Sequence, residues 1–364
     1  MLLEPASTTV NHAAEQDALE TAVLDVIRTG RTDDDTAFGA LALRIHAFQR
    51  HHNTPYANYC RELGDQPPAR WQDIPAVPQS VFKHFALRTF PEHETFRTFR
   101  TSGTTGEGYG SHHFRSLALY EASILAGWRH FDLPTGRPQI VLTPHPAASP
   151  HSSLAHMMGT LAALDPAGEQ TYGLRADGSL DLDGIRGRVE EARRADRPLL
   201  FLGTALAFLH LFESLEVPLA LPAGSDLMET GGYKGTGRTL AKAELYGMFE
   251  EKLGLSADAV VNEYGMTELS TPFYTRGLGR PHAGPPWARA LVIDPETGRE
   301  VAEGETGTVR LFDLANVGSV LAIQTQDLAV RRAGGTFELL GRDPAALPRG
   351  CSRAADEMLS HAAH

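Results

Sequence analysis

Cysteine is scarce in this sequence, with two residues, Cys60 and Cys351, among 364. Two cysteines do not make the disulfide framework of a small secreted protein, so a reducing cytoplasm is the expected location. Long apolar runs are also lacking, since no stretch approaches the roughly 18 residues that a membrane helix requires. Residues 1–16 lack the basic start and apolar core of a signal peptide. We therefore expect a cytoplasmic protein with no membrane insertion.

Positive charge is in deficit, with 33 Lys plus Arg against 45 Asp plus Glu and a formal net charge of −12. A nucleic acid needs a basic footprint on its partner, so this balance argues against a nucleic-acid-binding protein. Hydrophobic residues make up 42% and charged residues 21%, which is typical of a globular protein. The length suits one large domain with subdivisions.

Helical spacing of apolar residues predicts helices over 17–28, 36–51 and 116–130, with Ser116 as the N-cap of the third. One face of this third helix is predicted to be apolar, formed by Leu117, Tyr120, Ile124 and Trp128.

Short apolar runs predict buried strands at 140–142, 199–202 and 260–261. Strands that alternate with helices indicate a largely parallel sheet flanked by helices. After Pro285, four further strands separated by turns indicate a β-rich part, and they are predicted at 290–293, 308–312, 320–324 and 336–340.

A first candidate site is a glycine- and hydroxyl-rich loop formed by Thr101, Ser102, Gly103, Thr104, Thr105 and Gly106. Such a loop offers backbone N–H and hydroxyl donors that can surround a polyphosphate. It is not a Walker loop, because the Gly-Lys-Ser/Thr ending is absent. From composition alone, an ordinary flexible turn is an equal alternative.

A second candidate site is the segment 262–268, which comes directly after an apolar strand. Ligand-binding loops of α/β proteins lie at such strand ends. Glu268 offers the hard oxygen ligand that suits Mg²⁺, and Thr267 could donate to a phosphate oxygen. A solvated turn with an ordinary carboxylate is the alternative.

Two further segments carry residues suited to a nucleotide. In 228–235, Gly231 and Gly232 would let a flat base approach the backbone, and Lys234 could meet a phosphate. Asp327 follows a predicted strand, and an Asp that accepts from two ribose hydroxyls is a common nucleotide-binding device. Taken singly, 228–235 is equally well interpreted as a surface turn, and Asp327 is better interpreted as a surface charge.

Together and in this order, the four segments resemble the signature motifs of the adenylate-forming ligase superfamily. This superfamily includes acyl-CoA synthetases, luciferases and peptide-synthetase adenylation domains. The resemblance implies an α/β fold like its N-terminal domain, with stacked mixed β-sheets flanked by helices, a smaller β-rich part, and no full C-terminal domain. We expect a domain over 1–340 and a short tail over 341–364 that carries Cys351.

The chain resembles more narrowly the acyl-protein synthetase (LuxE-type) family. The matching segments are 74–78, 82–83, 152–154, 228–235, 262–271, 312–316 and 350–352. This resemblance implies that ATP activates a carboxylic acid, expected to be a fatty acid, as acyl-AMP. The acyl group then passes to the enzyme's own cysteine and on to a partner fatty-acyl reductase.

By this resemblance Cys351 is the acyl acceptor. Neighbouring cations favour a reactive thiolate, and Arg349 and Arg353 flank Cys351, although Asp356 and Glu357 act in the opposite direction. Without the resemblance, an inert cysteine near the terminus would be the better interpretation.

Cys60 lies in an aromatic and helical stretch, and we interpret it as a packing residue.

The resemblance also assigns roles around ATP and Mg²⁺. Residues 101–106 would hold the phosphates, Thr267 would touch the α-phosphate, and Glu268 would bind the metal. The remaining ATP-binding residues would be Gly231 and Gly232 at the adenine, Asp327 and Arg342 at the ribose, and Tyr264 and Gly265.

Two departures from the superfamily pattern matter. No basic residue follows the last glycine of the phosphate loop in Glu107-Gly108-Tyr109-Gly110. The C-terminal domain that supplies a catalytic lysine in larger members is also expected to be missing. Lys234 is therefore the candidate cation for the phosphoryl charge.

Two alternative functions remain open. The acyl group could pass directly to coenzyme A, a carrier protein or an amine, which would leave Cys351 incidental. The chain could also be a non-catalytic nucleotide-binding subunit. His145, His151 and His156 follow one strand, but their spacing is not the i, i+4 spacing typical of zinc, so they are expected to line the site or lie at the surface.

Overall fold

The structure is a computed structural model that describes residues 6–31, 34–101, 109–231 and 240–342. Its α-helices are α1 (Ala6–Thr29), α2 (Asp35–His52), α3 (Thr54–Glu62), α4 (Ala118–His130), α5 (Ser153–Thr160), α6 (Leu182–Arg194), α7 (Ala205–Glu213) and α8 (Lys242–Leu253). Short 3₁₀-helices lie at Trp71–Asp73, Gln79–Lys83, Glu92–Glu94, Leu161–Leu164, Ala257–Ala259 and Ala333–Gly335.

The β-strands are β1 (Val77–Pro78), β2 (Arg97–Arg100), β3 (Ser111–Phe114), β4 (Gln139–Leu142), β5 (Gln170–Tyr172), β6 (Leu200–Thr204), β7 (Asp226–Thr230), β8 (Val260–Tyr264), β9 (Phe273–Arg276), β10 (Ala288–Ile293), β11 (Thr306–Asp313), β12 (Ala322–Arg331) and β13 (Phe337–Arg342). β2 and β3 form an antiparallel pair, and the predicted phosphate loop connects them.

A six-stranded sheet has the strand order β5-β4-β6-β7-β8-β9. Its first five strands are parallel, and β9 runs antiparallel to β8. Helices α4 and α5 cover one face, and α6, α7 and α8 cover the other. Because both faces are covered, the strands need apolar residues on both sides, and this is why they read as continuous apolar runs in the sequence.

The alternation of side chains along β8 decides which core each residue joins. Val261 packs in the core beneath α4 and α5, whereas Val260 packs in the core beneath α6, α7 and α8. By the same alternation, Glu263 points to the α4/α5 face and Asn262 points to the opposite face.

A second, five-stranded sheet has the order β1-β12-β11-β10, with β13 paired to β12. β1 runs parallel to β12, and the other pairings are antiparallel. Phe312 in β11 packs in a core with Val23 of α1 and Phe48 of α2. Val309 and Ile323 pack in another core, together with Tyr264 at the end of β8. The two sheets therefore meet near the carboxyl end of β8.

The predicted helices and buried strands are confirmed in position, with differences at their ends. α4 begins at Ala118 with Leu117 as its N-cap, so the assignment of Ser116 as N-cap is wrong by one residue. The Ser116 hydroxyl still accepts from the Ala118 backbone N–H at 3.2 Å.

Two polar segments predicted to follow strands lie inside them. Residues 262–264 belong to β8, and Asp327 lies within β12, which extends well past the predicted 320–324. β12 pairs with β11 on one side and with β13 on the other, so its extension over 325–331 is held by backbone hydrogen bonds that a propensity argument does not anticipate.

Across the described ranges, no helix has the length and apolar character needed to cross a membrane. The division of the chain at residue 340 remains a prediction, since residues 343–364 lie outside the described part.

Candidate nucleotide and acid site

A cavity of about 170 Å³ opens at the carboxyl ends of β7 and β8. This is the edge where parallel α/β sheets place their ligands. The lining residues on the sheet and on the segments that follow it are Thr230, Gly231, Glu263, Gly265, Met266, Thr267, Glu268, Leu269, Ser270, Thr271 and Pro272. The remaining lining residues come from four other segments, and they are Gln79, Thr101, Tyr120, Ser153, Leu154 and Met157.

Thr267 is fixed at this cavity by contacts from three other segments. Its hydroxyl lies 3.1 Å from the Ser153 hydroxyl at the start of α5 and 3.5 Å from the Arg100 carbonyl oxygen. Its own carbonyl oxygen lies 2.8 Å from Nδ1 of His112. Burial lowers the pKa of His112 to about 4, so the ring is neutral near pH 7. Because a carbonyl can only accept, Nδ1 of His112 carries the proton and donates it to Thr267.

The segment after Thr267 is held from behind by Asp313 and Asn316. Asn316 Nδ2 donates to the Glu268 carbonyl oxygen at 2.9 Å, and its Oδ1 accepts from the Ser270 hydroxyl at 2.7 Å. Asp313 accepts from the Ser270 backbone N–H at 2.8 Å and from the Thr271 hydroxyl at 2.6 Å. Burial raises the pKa of Asp313, while these hydrogen bonds lower it. The backbone carrying Glu268 is therefore rigidly positioned at the cavity.

Asp313 and Asn316 were part of a segment that carried the family resemblance, yet sequence reasoning gave neither residue a role. Their function is to hold the 268–271 segment, and only the folded contacts reveal it.

Glu268 is 3% exposed and lines the cavity, as a metal ligand at this place would. Among the described residues, no group of three or more His, Cys, Asp or Glu could hold a metal by itself. Mg²⁺ is commonly bound by one or two carboxylates plus substrate phosphates and water, so a single carboxylate beside a nucleotide site fits Mg²⁺.

Tyr264, Asp327 and Arg342 come together although they are far apart in the sequence. The Tyr264 hydroxyl donates to Asp327 Oδ2 at 2.8 Å. Asp327 and Arg342 are paired residues on the neighbouring strands β12 and β13. The ring of Tyr264 contacts those of Phe337 and His282, with centroids 5.5 and 6.0 Å apart. The two residues predicted to bind the ribose are thus neighbours, and Tyr264 supports one of them.

The base of the predicted phosphate loop is closed by Thr101 and Gly110. Thr101 N–H donates to the Gly110 carbonyl oxygen at 2.9 Å, and Gly110 N–H donates to the Thr101 hydroxyl at 2.8 Å. Thr101 also lines the cavity, as does Gly231 after β7.

Eight predicted site residues lie outside the described part of the chain, so their roles remain predictions: Ser102, Gly103, Thr104, Thr105, Gly106, Gly232, Lys234 and Cys351.

Sequence reasoning assigned no role to two buried glutamates at the ends of β7 and β8, Glu229 and Glu263. They are 2% and 5% exposed. Burial raises the pKa of each carboxyl to about 7. A hydrogen bond from the Thr230 hydroxyl lowers the pKa of Glu263, while the charge of Glu229 raises it. Of the two, Glu263 lines the cavity, and no feature of the sequence around it indicates this.

The three histidines after β4 make separate contacts. The His145 ring lies 4.7 Å from the Tyr172 ring, His151 Nδ1 lies 3.0 Å from the Thr98 carbonyl oxygen, and His156 Nε2 lies 3.0 Å from Glu121 Oε1.

Cys60 is buried in the core beside Tyr56, and burial raises its pKa to about 11. The prediction that Cys60 is a packing residue is confirmed.

Comparison with solved structures agrees with this architecture. The structure resembles a 2-hydroxyisobutyryl-CoA ligase solved with 2-HIB-AMP and CoA, with a TM-score of 0.62 and 16% identity over 85% of this chain and 69% of that chain. This likeness confirms the predicted fold. MatB from Rhodopseudomonas palustris gives a TM-score of 0.47 at 19% identity, with 67% of this chain covered, and the chain spans about half of it (47%).

Comparison with known sequences identifies the family. Two relatives named long-chain-fatty-acid–luciferin-component ligase, from Vibrio harveyi and Aliivibrio fischeri, are each 23% identical to this chain. The matches run over 323 and 325 residues and cover 84% of each chain. The family described as acyl-protein synthetase, LuxE, matches residues 33–360. This chain therefore belongs to the LuxE acyl-protein synthetase family.

Proposed function

We propose that the protein activates a carboxylic acid with ATP as an acyl adenylate and then carries the acyl group on Cys351 for a partner acyl reductase. The observation that carries the first half is the placement of Thr267 and Glu268 at a cavity on the carboxyl edge of the sheet. The names of the relatives favour a fatty acid. A cytoplasmic location remains a prediction from the sequence.

In the first step a carboxylate oxygen attacks the α-phosphorus of ATP, and pyrophosphate leaves. Side chains have little covalent chemistry to perform here, so catalysis depends on positioning and on neutralising phosphoryl charge. Thr267 is held by Ser153, which orients its hydroxyl toward the cavity that both residues line. Glu268 would hold Mg²⁺, which neutralises phosphate charge when bound. Lys234 is the proposed cation for the remaining charge.

In the second step the Cys351 thiolate attacks the acyl carbonyl carbon. A thioester bond forms, the bond to AMP breaks, and AMP leaves with the electron pair. The proposal of Cys351 over Cys60 agrees with the burial of Cys60, because a buried thiol with a raised pKa is a poor nucleophile.

The test is to incubate the full chain with ATP, Mg²⁺ and a panel of acids, and to measure AMP, pyrophosphate and intact mass. We expect an acyl adduct that hydroxylamine removes. Cys351→Ser should still release pyrophosphate but lose this adduct, whereas Cys60→Ser should keep it. A hydroxylamine-labile adduct that persists in Cys351→Ser would contradict the assignment.

The same experiment separates the alternatives. AMP release without a covalent adduct, restored to turnover by coenzyme A, a carrier protein or an amine, would favour direct transfer. ATP binding without pyrophosphate release would favour a non-catalytic subunit. Undiminished pyrophosphate exchange in Lys234→Ala would remove that lysine from the mechanism, and no affinity for ATP with any acid would overturn the whole proposal.

A further inference from the structure

Ser153 brings a hydroxyl group to the cavity. It is the first residue of α5 and lines the cavity, and its hydroxyl lies 3.1 Å from that of Thr267. Two hydroxyls have two protons, and the hydrogen bond between them uses one. The contact of the Thr267 hydroxyl with the Arg100 carbonyl oxygen, at 3.5 Å, is at the outer limit of a hydrogen bond. This pair of hydroxyls can therefore turn a proton toward a ligand.

Other hydroxyls at the cavity are used by the protein itself. Those of Ser270 and Thr271 donate to buried side chains behind the cavity, at 2.7 and 2.6 Å. The Tyr120 hydroxyl donates to the Ser153 carbonyl oxygen at 3.1 Å, which also fixes the start of α5. Because their protons are engaged, these three groups are poor donors for a ligand, whereas the Ser153 hydroxyl is a good one.

The start of α5 adds backbone donors beside this hydroxyl. The N–H groups of a helix's first turn lack intrahelical partners, and the helix dipole favours an anion there. In α5, the Ser152 N–H donates to the Ser149 carbonyl oxygen at 3.0 Å, and the Ala155 N–H donates to the Ser152 hydroxyl at 3.1 Å. Within the described residues, these bonds leave the N–H groups of Ser153 and Leu154 for a ligand.

An acid in this cavity needs donors for its carboxylate and an apolar surface for its chain. Glu263 and Glu268 line the cavity from β8 and the segment after it, and ionised carboxyl groups repel a carboxylate. The donors at the start of α5 attract it. Leu154 and Met157, on the same helix as Ser153, supply apolar surface at the cavity. The carboxylate therefore fits at Ser153, with the beginning of its chain along α5.

We infer that the Ser153 hydroxyl binds the carboxylate of the acid and holds it beside the α-phosphate of ATP. This inference rests on the proposed acid activation, in which Thr267 contacts the α-phosphate. Reacting atoms must approach to about 3–3.5 Å before a bond forms. The 3.1 Å between the two hydroxyls brings their ligands to neighbouring positions. A carboxylate oxygen then forms the bond to phosphorus while the bond to pyrophosphate breaks, and Ser153 keeps its proton throughout.

The kinetic test uses the full chain with ATP, Mg²⁺ and the acid that gives the fastest pyrophosphate release in the panel. Ser153→Ala should raise the KM for this acid and lower kcat/KM for it by about tenfold or more, because a hydrogen bond to a charged group is lost. The KM for ATP should change by less than about twofold. Ser153→Thr keeps a hydroxyl, so its kcat/KM should stay within about threefold of the parent value.

Binding without turnover separates contact with the acid from support of Thr267. Calorimetry in the presence of α,β-methylene ATP, whose α–β bridge does not break, compares the acid with the primary alcohol of equal chain length. The parent chain should bind the acid at least about fivefold more tightly than the alcohol. Ser153→Ala should abolish this preference and keep the affinity for the alcohol, whereas Thr267→Ala should slow pyrophosphate release and keep the preference.

Ser116→Ala is the matched control, because the Ser116 hydroxyl accepts a backbone N–H at the exposed start of α4. Its kinetics and its preference for the acid should equal those of the parent chain. Thermal unfolding checks that each variant is folded, and Ser153→Cys, which keeps the side-chain size, replaces Ser153→Ala if the latter does not fold.

The parent kcat/KM in a folded Ser153→Ala, or an unchanged preference for the acid over the alcohol, would overturn this inference and leave acid activation intact. No pyrophosphate release from the parent chain with any acid would instead remove the proposed function itself.

Discussion

Glu229 and Glu263 are two copies of one residue type on adjacent strands, and they face opposite sides of one sheet. Leu227, two residues before Glu229, packs beneath α6, α7 and α8, whereas Val261, two residues before Glu263, packs beneath α4 and α5. Burial raises the pKa of both carboxyls to about 7. The two carboxyls differ in their partners. Glu229 belongs to a network of protein side chains, whereas Glu263 lines the cavity.

The network around Glu229 is centred on Asn262. Asn262 Nδ2 donates to Glu229 Oε1 at 2.6 Å, and Asn262 Oδ1 accepts from the Lys242 ammonium at 2.8 Å. His282 Nε2 also lies 2.8 Å from Asn262 Oδ1, so Nε2 carries the proton. Burial lowers the pKa of His282 to about 3, which keeps the ring neutral. Glu229 thus accepts a hydrogen bond from Asn262 and lies in the field of the Lys242 ammonium, whereas no cation acts on Glu263 among the described residues.

The largest effect is expected at the cavity face. Glu268→Ala should lower acid-dependent ATP–pyrophosphate exchange by about 10²-fold or more. The reason is that Mg²⁺ would lose its carboxylate ligand and would no longer neutralise the phosphoryl charge. Glu251→Ala, on the exposed surface of α8, should leave the exchange rate unchanged. A Glu268→Ala variant with the parent rate would contradict the metal role.

The free energy of unfolding should depend on pH through the ionisation of Glu263, and this dependence should disappear when a neutral residue replaces it. Burial raises the pKa of its carboxyl from 4.5 to about 7 in the folded chain. The folded state therefore holds the proton more tightly than the unfolded state. Its contribution to stability is complete below pH 4.5 and is lost as pH rises toward 7.

Glu263→Gln removes this titration. Between pH 4.5 and 8 the parent chain should lose about 3 kcal/mol more unfolding free energy than Glu263→Gln, and urea unfolding across that range measures the difference. Curves that stay parallel for the two proteins would show that Glu263 ionises as it does in water.

On the face of the sheet that carries Glu229, a substitution should change the free energy of unfolding. Lys242→Met removes the ammonium that donates to Asn262 and acts on Glu229 with the opposite charge, so the free energy of unfolding should fall by about 2 kcal/mol. Lys252→Met is the matched control on the same helix, because Lys252 pairs with Glu251 at the surface. The control should cost less than about 0.5 kcal/mol. Equal losses in the two variants would mean that the buried network adds nothing.

The smallest effect is expected from Gly265→Ala. The added Cβ would lie 2.2 Å from Glu263 Oε1, so the carboxyl must move, at a cost of about 1–2 kcal/mol in unfolding free energy. In a Glu263→Ala background the same substitution should cost about 1 kcal/mol less, since the obstacle is gone. Additive effects in this double-mutant cycle would show that the Glu263 carboxyl does not contact position 265.

The sequence predicted the layered α/β fold because its signals are local. Apolar periodicity located α1, α2 and α4, and continuous apolar runs located the parallel strands. It failed to predict the full length of β12, because residues 325–331 are held in the strand by pairing with β11 on one side and β13 on the other. The backbone hydrogen bonds come from the two neighbouring strands, and the residue pattern of β12 itself does not predict this pairing.

By itself, the sequence determined the family, the fold class and the candidate residues Thr267, Glu268 and Asp327, because these rest on residue order and residue chemistry. Only the tertiary structure decided that Tyr264 supports Asp327 and that Glu263 faces a cavity while Glu229 does not. The physical reason is alternation and register. Which face of a strand a side chain occupies, and what it meets there, depends on pairing with distant segments that residue order alone does not encode.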